Sequence, residues 1–367
     1  MKYRFAIVSD PHIGLPHTIW DHPSRFHLVE VSIPAFELIL ENLERLNLDF
    51  LLIPGDLTQH GEPENHQWLQ KRLQSLPFPA YVVPGNHDVP HLLPTSKSIG
   101  WQDFPYYYRQ FGYQNPHQLY YTTEIAPGVQ LISLNSNQFD AQGKQLGCLD
   151  NDQLAWLEQV FPEVQDKLIL VMIHHNVIEH LPGQADHELG KRYMLDNAPI
   201  LLKMLSAFGV KLIFTGHLHV QDIAHQEGIY EITTGSLVSY PHPYRVLELH
   251  LKDNKHWELK IESYRVESIP GWENLSHISK QWMGDRSYPF MMRLLTGHPL
   301  CLPIRKAAKL APQLRYFWAD IAAGDAIFDF PEFPPLARHY FRQFSAINHQ
   351  GIPTLIDNQA KLIISNK

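Results

Sequence analysis

The chain is 367 residues long, 44% hydrophobic, and carries a formal net charge of −8. Its length fits one large domain of roughly 260–270 residues with an appendage, and its composition fits a chain that buries an ordinary core. The acidic balance argues against an extended nucleic-acid surface, which needs a basic excess to neutralise phosphates, although a local cation or bound metal could hold a small anion.

Two distant cysteines, Cys148 and Cys301, supply neither a disulfide framework nor a thiolate metal site, and point to a reducing compartment. The N-terminus opens on a strand-like run without the apolar region of a signal peptide, and no run of about 18 apolar residues occurs, so a cytoplasmic protein is expected. Histidine, at 23 residues, is the compositional oddity; it is the commonest metal ligand.

Residues 5–8 read as a buried strand, ended by Ser9-Asp10-Pro11-His12. A loop over 13–27 carries His17, Trp20, His22 and Arg25. From Ile33 through Phe36, Ile39, Leu40 and Leu43 the apolar spacing is helical, with the start placed near Pro34, where proline fits the first turn. Residues 50–53 form a second strand, ended by Pro54-Gly55-Asp56. A helix over about 62–76 leads to a third strand, 80–83, ended by Pro84-Gly85-Asn86-His87-Asp88. This order predicts a parallel sheet covered on both faces.

Residues 90–118 are a long aromatic connection. A strand at 129–134 and a helix at about 151–161, with Asn151 as its N-cap, lead to the strand 168–173, which ends in His174-His175. A helix over 198–208, stopped by Gly209, leads to the strand 212–214 and then to Thr215-Gly216-His217-Leu218-His219. The runs 229–233, 244–251 and 256–264 read as antiparallel meander strands. Beyond about 270, short helix-like pieces hold Trp272, Trp282, Tyr316 and Trp318 without a chemical motif. Shaping the mouth of a site, or making a subunit contact as in a homodimer, are the two roles open to them.

Five strand ends thus carry oxygen and nitrogen donors. Each alone is an ordinary polar turn, but in open α/β sheets ligands bind beyond the carboxyl ends of strands, so the five should converge. The Asp10-x-His12 and His217-x-His219 spacings place paired donors on one side of an extended segment. Imidazoles with carboxylates and no sulfur suit Mn, Fe or Zn. Asp56, with two oxygens, can bridge two cations. The loop 176–196, with His180, His187, Lys191, Arg192 and Tyr193, could join the loop 13–27 in stacking a base or clamping a phosphate.

In this order, Asp10-x-His12, Gly55-Asp56, Gly85-Asn86-His87-Asp88, His174-His175 and Gly216-His217-Leu218-His219 resemble the calcineurin-like metallophosphoesterases, most of all the bacterial class III cyclic-nucleotide phosphodiesterases. The resemblance covers about residues 1–265. It implies an α/β fold, a four-layer αββα sandwich of two mixed sheets, with a dinuclear metal site at the sheet edge. A C-terminal helical appendage would follow, dividing the chain at 1–268 and 269–367. One metal would take Asp10, His12, Asp56 and His219, the other Asp56, Asn86, His174 and His217. The family usually has proline after its histidine pair, whereas Asn176 follows here and leaves the register open; His174, the first residue after the strand, is favoured, with His175 as the alternative ligand.

The resemblance further implies His87 as the substrate-facing histidine, held by Asp88. The expected activity is hydrolysis of a small phosphodiester, a 3′,5′-cyclic nucleotide such as cAMP, by a hydroxide bridging two metals. His87 would protonate the leaving alkoxide. A glycerophosphodiester, nucleotide-sugar or phosphomonoester hydrolase on the same metals is the alternative, and a metal-free binding scaffold is the competitor from another class.

Overall fold

Apolar runs cut off by Pro, Gly or polar turns produce the strands. In chain order these are β1 (Lys2–Ile7), β2 (Phe50–Ile53), β3 (Ala80–Val82), β4 (Tyr121–Ala126), β5 (Val129–Ser133), β6 (Asn137–Phe139), β7 (Gln145–Gly147), β8 (Leu168–Met172), β9 (Leu212–Thr215), β10 (Asp222–Gln226), β11 (Ile229–Thr233), β12 (Pro243–Leu251), β13 (His256–Arg265) and β14 (Gln359–Ser365). The structure is a computed structural model that describes residues 1–20, 25–253, 256–348 and 350–365.

Two mixed six-stranded sheets form, ordered β14-β13-β12-β1-β2-β3 and β10-β11-β9-β8-β5-β4, with β6 and β7 as a separate hairpin. Within the first, β1, β2 and β3 run parallel; within the second, β5, β8, β9 and β11 do. Period-two alternation explains the layering. Leu131, Leu170, Met172 and Phe214 belong to the core shared with the first sheet, where Phe5 meets Phe214 edge-to-face at 5.8 Å. Their neighbours Ile132, Val171 and Ile213 pack with the helices Asn151–Val164 and Ala198–Phe208. The helices Ser32–Glu44 and Pro63–Gln74 connect the parallel strands of the first sheet. This is the expected αββα sandwich.

The structure corrects several local readings. The run 229–233 does not continue a meander with the two runs after it. As β11 it pairs parallel with β9 in the second sheet, while β12 and β13 extend the first. Alternation identifies a strand but not its partner. Asp150, not Asn151, caps the helix Asn151–Val164, its side chain accepting from the Gln153 N–H. The long connection is structured: a short helix, Phe104–Tyr107, buries Phe104, and Tyr108 bonds the His66 Nδ1 at 2.8 Å.

The C-terminal part contains a 22-residue helix, Leu275–Thr296, and three shorter ones, Ile304–Leu310, Phe317–Ala322 and Pro335–Arg342, around their own core. It then returns to the first sheet as β14, antiparallel to β13. Asp325 and Asp357 tie that return by exchanging backbone N–H to carboxylate bonds of 2.7 and 3.0 Å. Buried Arg245 donates to the Asp357 carbonyl. Among the described residues, no helix is long and apolar enough to cross a membrane.

Candidate metal centre

The carboxyl ends of β1, β2, β3, β8 and β9 meet at one end of the sandwich. Backbone bonds join them directly: Asp10 N–H to the Gly55 carbonyl at 3.3 Å, His12 N–H to the Asp56 carbonyl at 2.9 Å, and Gly216 N–H to the His174 carbonyl at 3.3 Å. Asp10, His12, Asp56, His217 and His219 all have positive φ, between 41° and 66°. The paired donors therefore converge through left-handed turns and not through the alternation of an extended segment, which corrects the sequence-based reason. Left-handed backbone costs a non-glycine residue about 1–2 kcal/mol. Each fully buried apolar side chain of the adjoining strands contributes about 1.5–3 kcal/mol. Phe50, Leu51, Leu52 and Ile53 are all 0% exposed, so the core that precedes Asp56 can hold the strain beyond it.

Two glycines admit the close approach. A Cβ at Gly85 would overlap the backbone nitrogen and Oδ1 of Asp56, and one at Gly216 would overlap Ser9 Oγ and Asp10 Oδ2.

The side chains form two groups joined at Asp56. Asp10, His12, Asp56 and His219 offer donor atoms all within 4.8 Å of one another, as do Asp56, His174 and His217. His219 Nε2 lies 3.1 Å from Asp10 Oδ1, and His12 Nε2 lies 3.5 Å from His219 Nε2 and 3.7 Å from Asp56 Oδ2. On the other side, His174 Nε2 lies 3.5 Å from Asp56 Oδ1 and 3.2 Å from Asn86 Oδ1. Two ligands each about 2.1 Å from one cation lie about 3.0–3.5 Å apart, so these spacings fit metal coordination. The second nitrogens are committed elsewhere. His174 Nδ1 faces the Pro54 carbonyl at 2.8 Å and His217 Nε2 faces the Arg192 carbonyl at 3.2 Å. A carbonyl can be satisfied only by an N–H, which leaves His174 Nε2 and His217 Nδ1 as lone-pair donors. His175 instead places Nδ1 2.7 Å from Ser136 Oγ and belongs to neither group. All seven donors expected from the sequence are thus gathered, with His174 the member of the pair that joins them.

The electrostatics favour a cation. Burial first, aided by neighbouring imidazoles and opposed by Asp56, holds the His12 and His217 rings well below their ordinary range, which keeps them neutral. Burial also opposes charge on His174, but Asp56 and then Asp10 outweigh it and push that ring up to about 9. Positive charge belongs between these groups: a proton on His174, which a divalent metal would displace on binding, because ligation requires the neutral imidazole.

The Gly85–Asp88 turn differs from expectation in one respect. Asp88 does not hold His87. Its carboxylate accepts from the backbone N–H groups of Leu57 (3.0 Å), Thr58 (2.8 Å) and Gly85 (2.8 Å) and from Thr58 Oγ1 (3.0 Å). It therefore joins the β2 and β3 turns that carry Asp56 and Asn86. The His87 ring is set by Gln59, whose carbonyl lies 2.7 Å from Nδ1, and its backbone N–H bonds Asp56 Oδ1 at 2.8 Å. Gln145 of β7 clamps the turn from outside through the Asn86 and Val89 carbonyls.

Sequence reasoning missed two residues here. His27 stacks on His12 at 4.7 Å and joins His12 and His219 as a third donor group. His60 stacks between Trp20 at 4.8 Å and His87 at 4.9 Å. Both depend on the path of a loop, which no spacing encodes. Of the loop residues singled out, Trp20, Arg25, His187, Lys191, Arg192 and Tyr193 line the cavity beside the cluster. His17 pairs with Glu64 at the surface, and His180 is buried between Asp222 and Glu231. His22 lies outside the described residues.

The family model described as calcineurin-like phosphoesterase matches residues 3–221. A probable glycerophosphodiester phosphodiesterase from Arcobacter nitrofigilis is 27% identical over 195 residues, covering 52% of this chain and 64% of that protein. A 3′,5′-cyclic-nucleotide phosphodiesterase from Nostoc sp. is 28% identical over 188 residues, covering 50% of this chain and 62% of that protein. The chain thus spans less than two thirds of the length of these relatives. A solved dimetal phosphatase from Danio rerio aligns with 70% of this chain and 95% of its own at 15% identity, with a TM-score of 0.49.

Proposed function

The chain belongs to the calcineurin-like phosphoesterase family, and from that premise we propose that it is a metal-dependent hydrolase of a small phosphodiester. The observation that carries this reading is the convergence of seven oxygen and nitrogen donors from five strand ends, with one Asp56 oxygen turned to His12 and the other to His174. Asp10, His12, Asp56 and His219 would hold one cation, and Asp56, Asn86, His174 and His217 a second. The sulfur-free, imidazole-rich set suits Mn, Fe or Zn. When bound, such ions supply Lewis acidity that lowers the pKa of water and neutralises phosphoryl charge.

The chain's own groups supply the rest. His87, with Nδ1–H tied to the Gln59 carbonyl, would pass a proton to the leaving alkoxide from Nε2 in its doubly protonated form, a role worth roughly 10²–10⁴-fold. Lys144, Lys191 and Arg192 line the cavity and attract the diester anion. The left-handed ligand residues are held by the sheet ends, so the donors need little rearrangement to act.

Within the phosphodiesters, a cyclic nucleotide such as cAMP is supported by the name of the Nostoc relative, and a glycerophosphodiester by the name of the Arcobacter one. The test is a turnover panel with Mn-loaded protein over 3′,5′-cAMP, glycerophosphocholine, bis(4-nitrophenyl) phosphate and 4-nitrophenyl phosphate, alongside elemental analysis. Cleavage of the monoester alone removes the diesterase reading. A chain that binds no divalent ion is a scaffold and not a hydrolase.

A further inference from the structure

A cavity of about 670 Å³ extends from the donor cluster to the C-terminal helices. Cavities of about 300–1,000 Å³ hold a whole drug-sized ligand, far more than a phosphoryl group. Its two walls differ in chemistry. One presents His12, Asp56, Asn86, His217 and His219 of the cluster with Lys144, Lys191 and Arg192. The other is made by Met283, Phe290 and Leu294 of the helix Leu275–Thr296, by Phe317 and Trp318, and by Tyr340 and Phe344. None of these seven side chains is a charged residue type, and the Trp318 indole N–H and the Tyr340 hydroxyl are their polar groups.

This wall is the cavity-facing edge of the helical core, in which Met283, Leu294 and Phe317 are themselves buried. Met291, Leu295 and Phe341, each 0% exposed, close the interior of that region, while Phe290, Trp318 and Phe344 remain partly accessible on the cavity side. Its position relative to the donors is built in. Leu218, between His217 and His219, is 1% exposed and packs into the same helical core with Val220. The Tyr193 ring lies 5.0 Å from that of His217 and stands at the junction of the two walls. The family match ends at residue 221, so the apolar wall is contributed by a part of the chain outside it.

Resting on the phosphodiesterase reading of the donor cluster, we propose that the helical wall is a subsite for a hydrocarbon chain, and that the substrate is a lipid-like phosphodiester with an alkyl or acyl group on one ester. Such a molecule matches the cavity by class: a single anionic centre among the cations and donors, and a tail that asks for no hydrogen bonds. A nucleobase carries several donors and acceptors that this wall would leave unpaired, and the unpaired groups would cost binding. A peptide segment fails for the same reason at every backbone N–H and C=O.

The experiment uses the full chain and two probe series, kept below their micelle concentrations. The first is 4-nitrophenyl ethyl, butyl and octyl phosphate, turned over by Mn-loaded protein. The second is ethyl- and octylphosphonic acid, which carry no ester bond to hydrolyse, titrated by calorimetry. A methylene fully removed from water is worth about fourfold, so even partial burial of the added methylenes raises kcat/KM from ethyl to octyl by at least about tenfold and lowers the phosphonate Kd by a similar factor. In Phe290→Asn and Phe344→Asn, both slopes should shrink below about threefold, as a polar group replaces apolar lining. A flat series in the wild-type chain, in turnover and in binding alike, overturns the subsite while leaving the phosphodiesterase reading intact. An octyl preference in binding with none of the esters turned over supports the subsite and removes the hydrolase reading instead.

Discussion

Replacing His180 tests whether one buried cation holds the segment behind the candidate metal centre. His180 is enclosed, with Nδ1 2.6 Å from Asp222 Oδ2 and Nε2 3.0 Å from Glu231 Oε1. Burial disfavours its charge, but Glu231 and Asp222 outweigh burial and push the imidazole up to about 9. Glu231 in turn accepts from the N–H groups of Val177 (2.9 Å) and Ile178 (2.6 Å), from Asn176 Nδ2 (3.2 Å) and from Thr215 Oγ1 (2.8 Å). The charged ring therefore braces both the stretch after His174 and the end of β9. Because the folded pKa exceeds the unfolded value near 6.5, this stabilisation is complete below about pH 6.5 and is lost as pH rises through about 9. A shift of that size amounts to about 3 kcal/mol.

His180→Gln keeps an amide donor and removes the charge. Urea unfolding of wild type and variant at about pH 6 and about pH 9.5 should show the gap between them about 3 kcal/mol wider at the lower pH. A gap that agrees at the two pH values within about 0.5 kcal/mol refutes the reasoning, since a structural role without charge would cost the same at both.

Gly85→Ala forces a Cβ onto the Asp56 backbone nitrogen and Oδ1, neither of which can swing aside. The variant should keep its secondary structure by circular dichroism and lose bound Mn by elemental analysis; wild-type Mn content would show that Asp56 tolerates the shift. Asp88→Asn turns an amide N–H₂ toward backbone N–H donors now satisfied by a carboxylate. Leaving buried donors unpaired costs about 1–3 kcal/mol each, so denaturant midpoints should fall and metal affinity with them. An unchanged midpoint with only an altered pH–rate profile would return Asp88 to the role of orienting His87.

The fold was legible where the pattern is local. Phe50-Leu51-Leu52-Ile53 stopped by Pro54-Gly55, and Leu168–Met172 followed by polar histidines, read as buried strands from composition alone. Partner choice was not legible: β11 has the same alternating character as β12, yet one lies in each sheet. The edge strands β4, β10 and β14 were missed because half-exposed edges carry a weaker apolar signal. Within the centre, the types of the seven donors could be read, but the partner of His87 could not. The Gln59 carbonyl is a backbone group, and any residue could have supplied it.

The sequence by itself determined which chemistry sits at each strand end, because a strand, its breaker and the side chains just beyond it are neighbours in the chain. Only the tertiary structure decided how those side chains meet. His12 and His219 are separated by 207 positions and come within 3.5 Å through left-handed turns that the sheet ends impose. It also decided that His27 and His60 join the site and that a helical wall from beyond residue 270 lines its cavity. Those placements follow from the packing of Leu218 and its neighbours into a distant core, a contact with no periodicity to announce it.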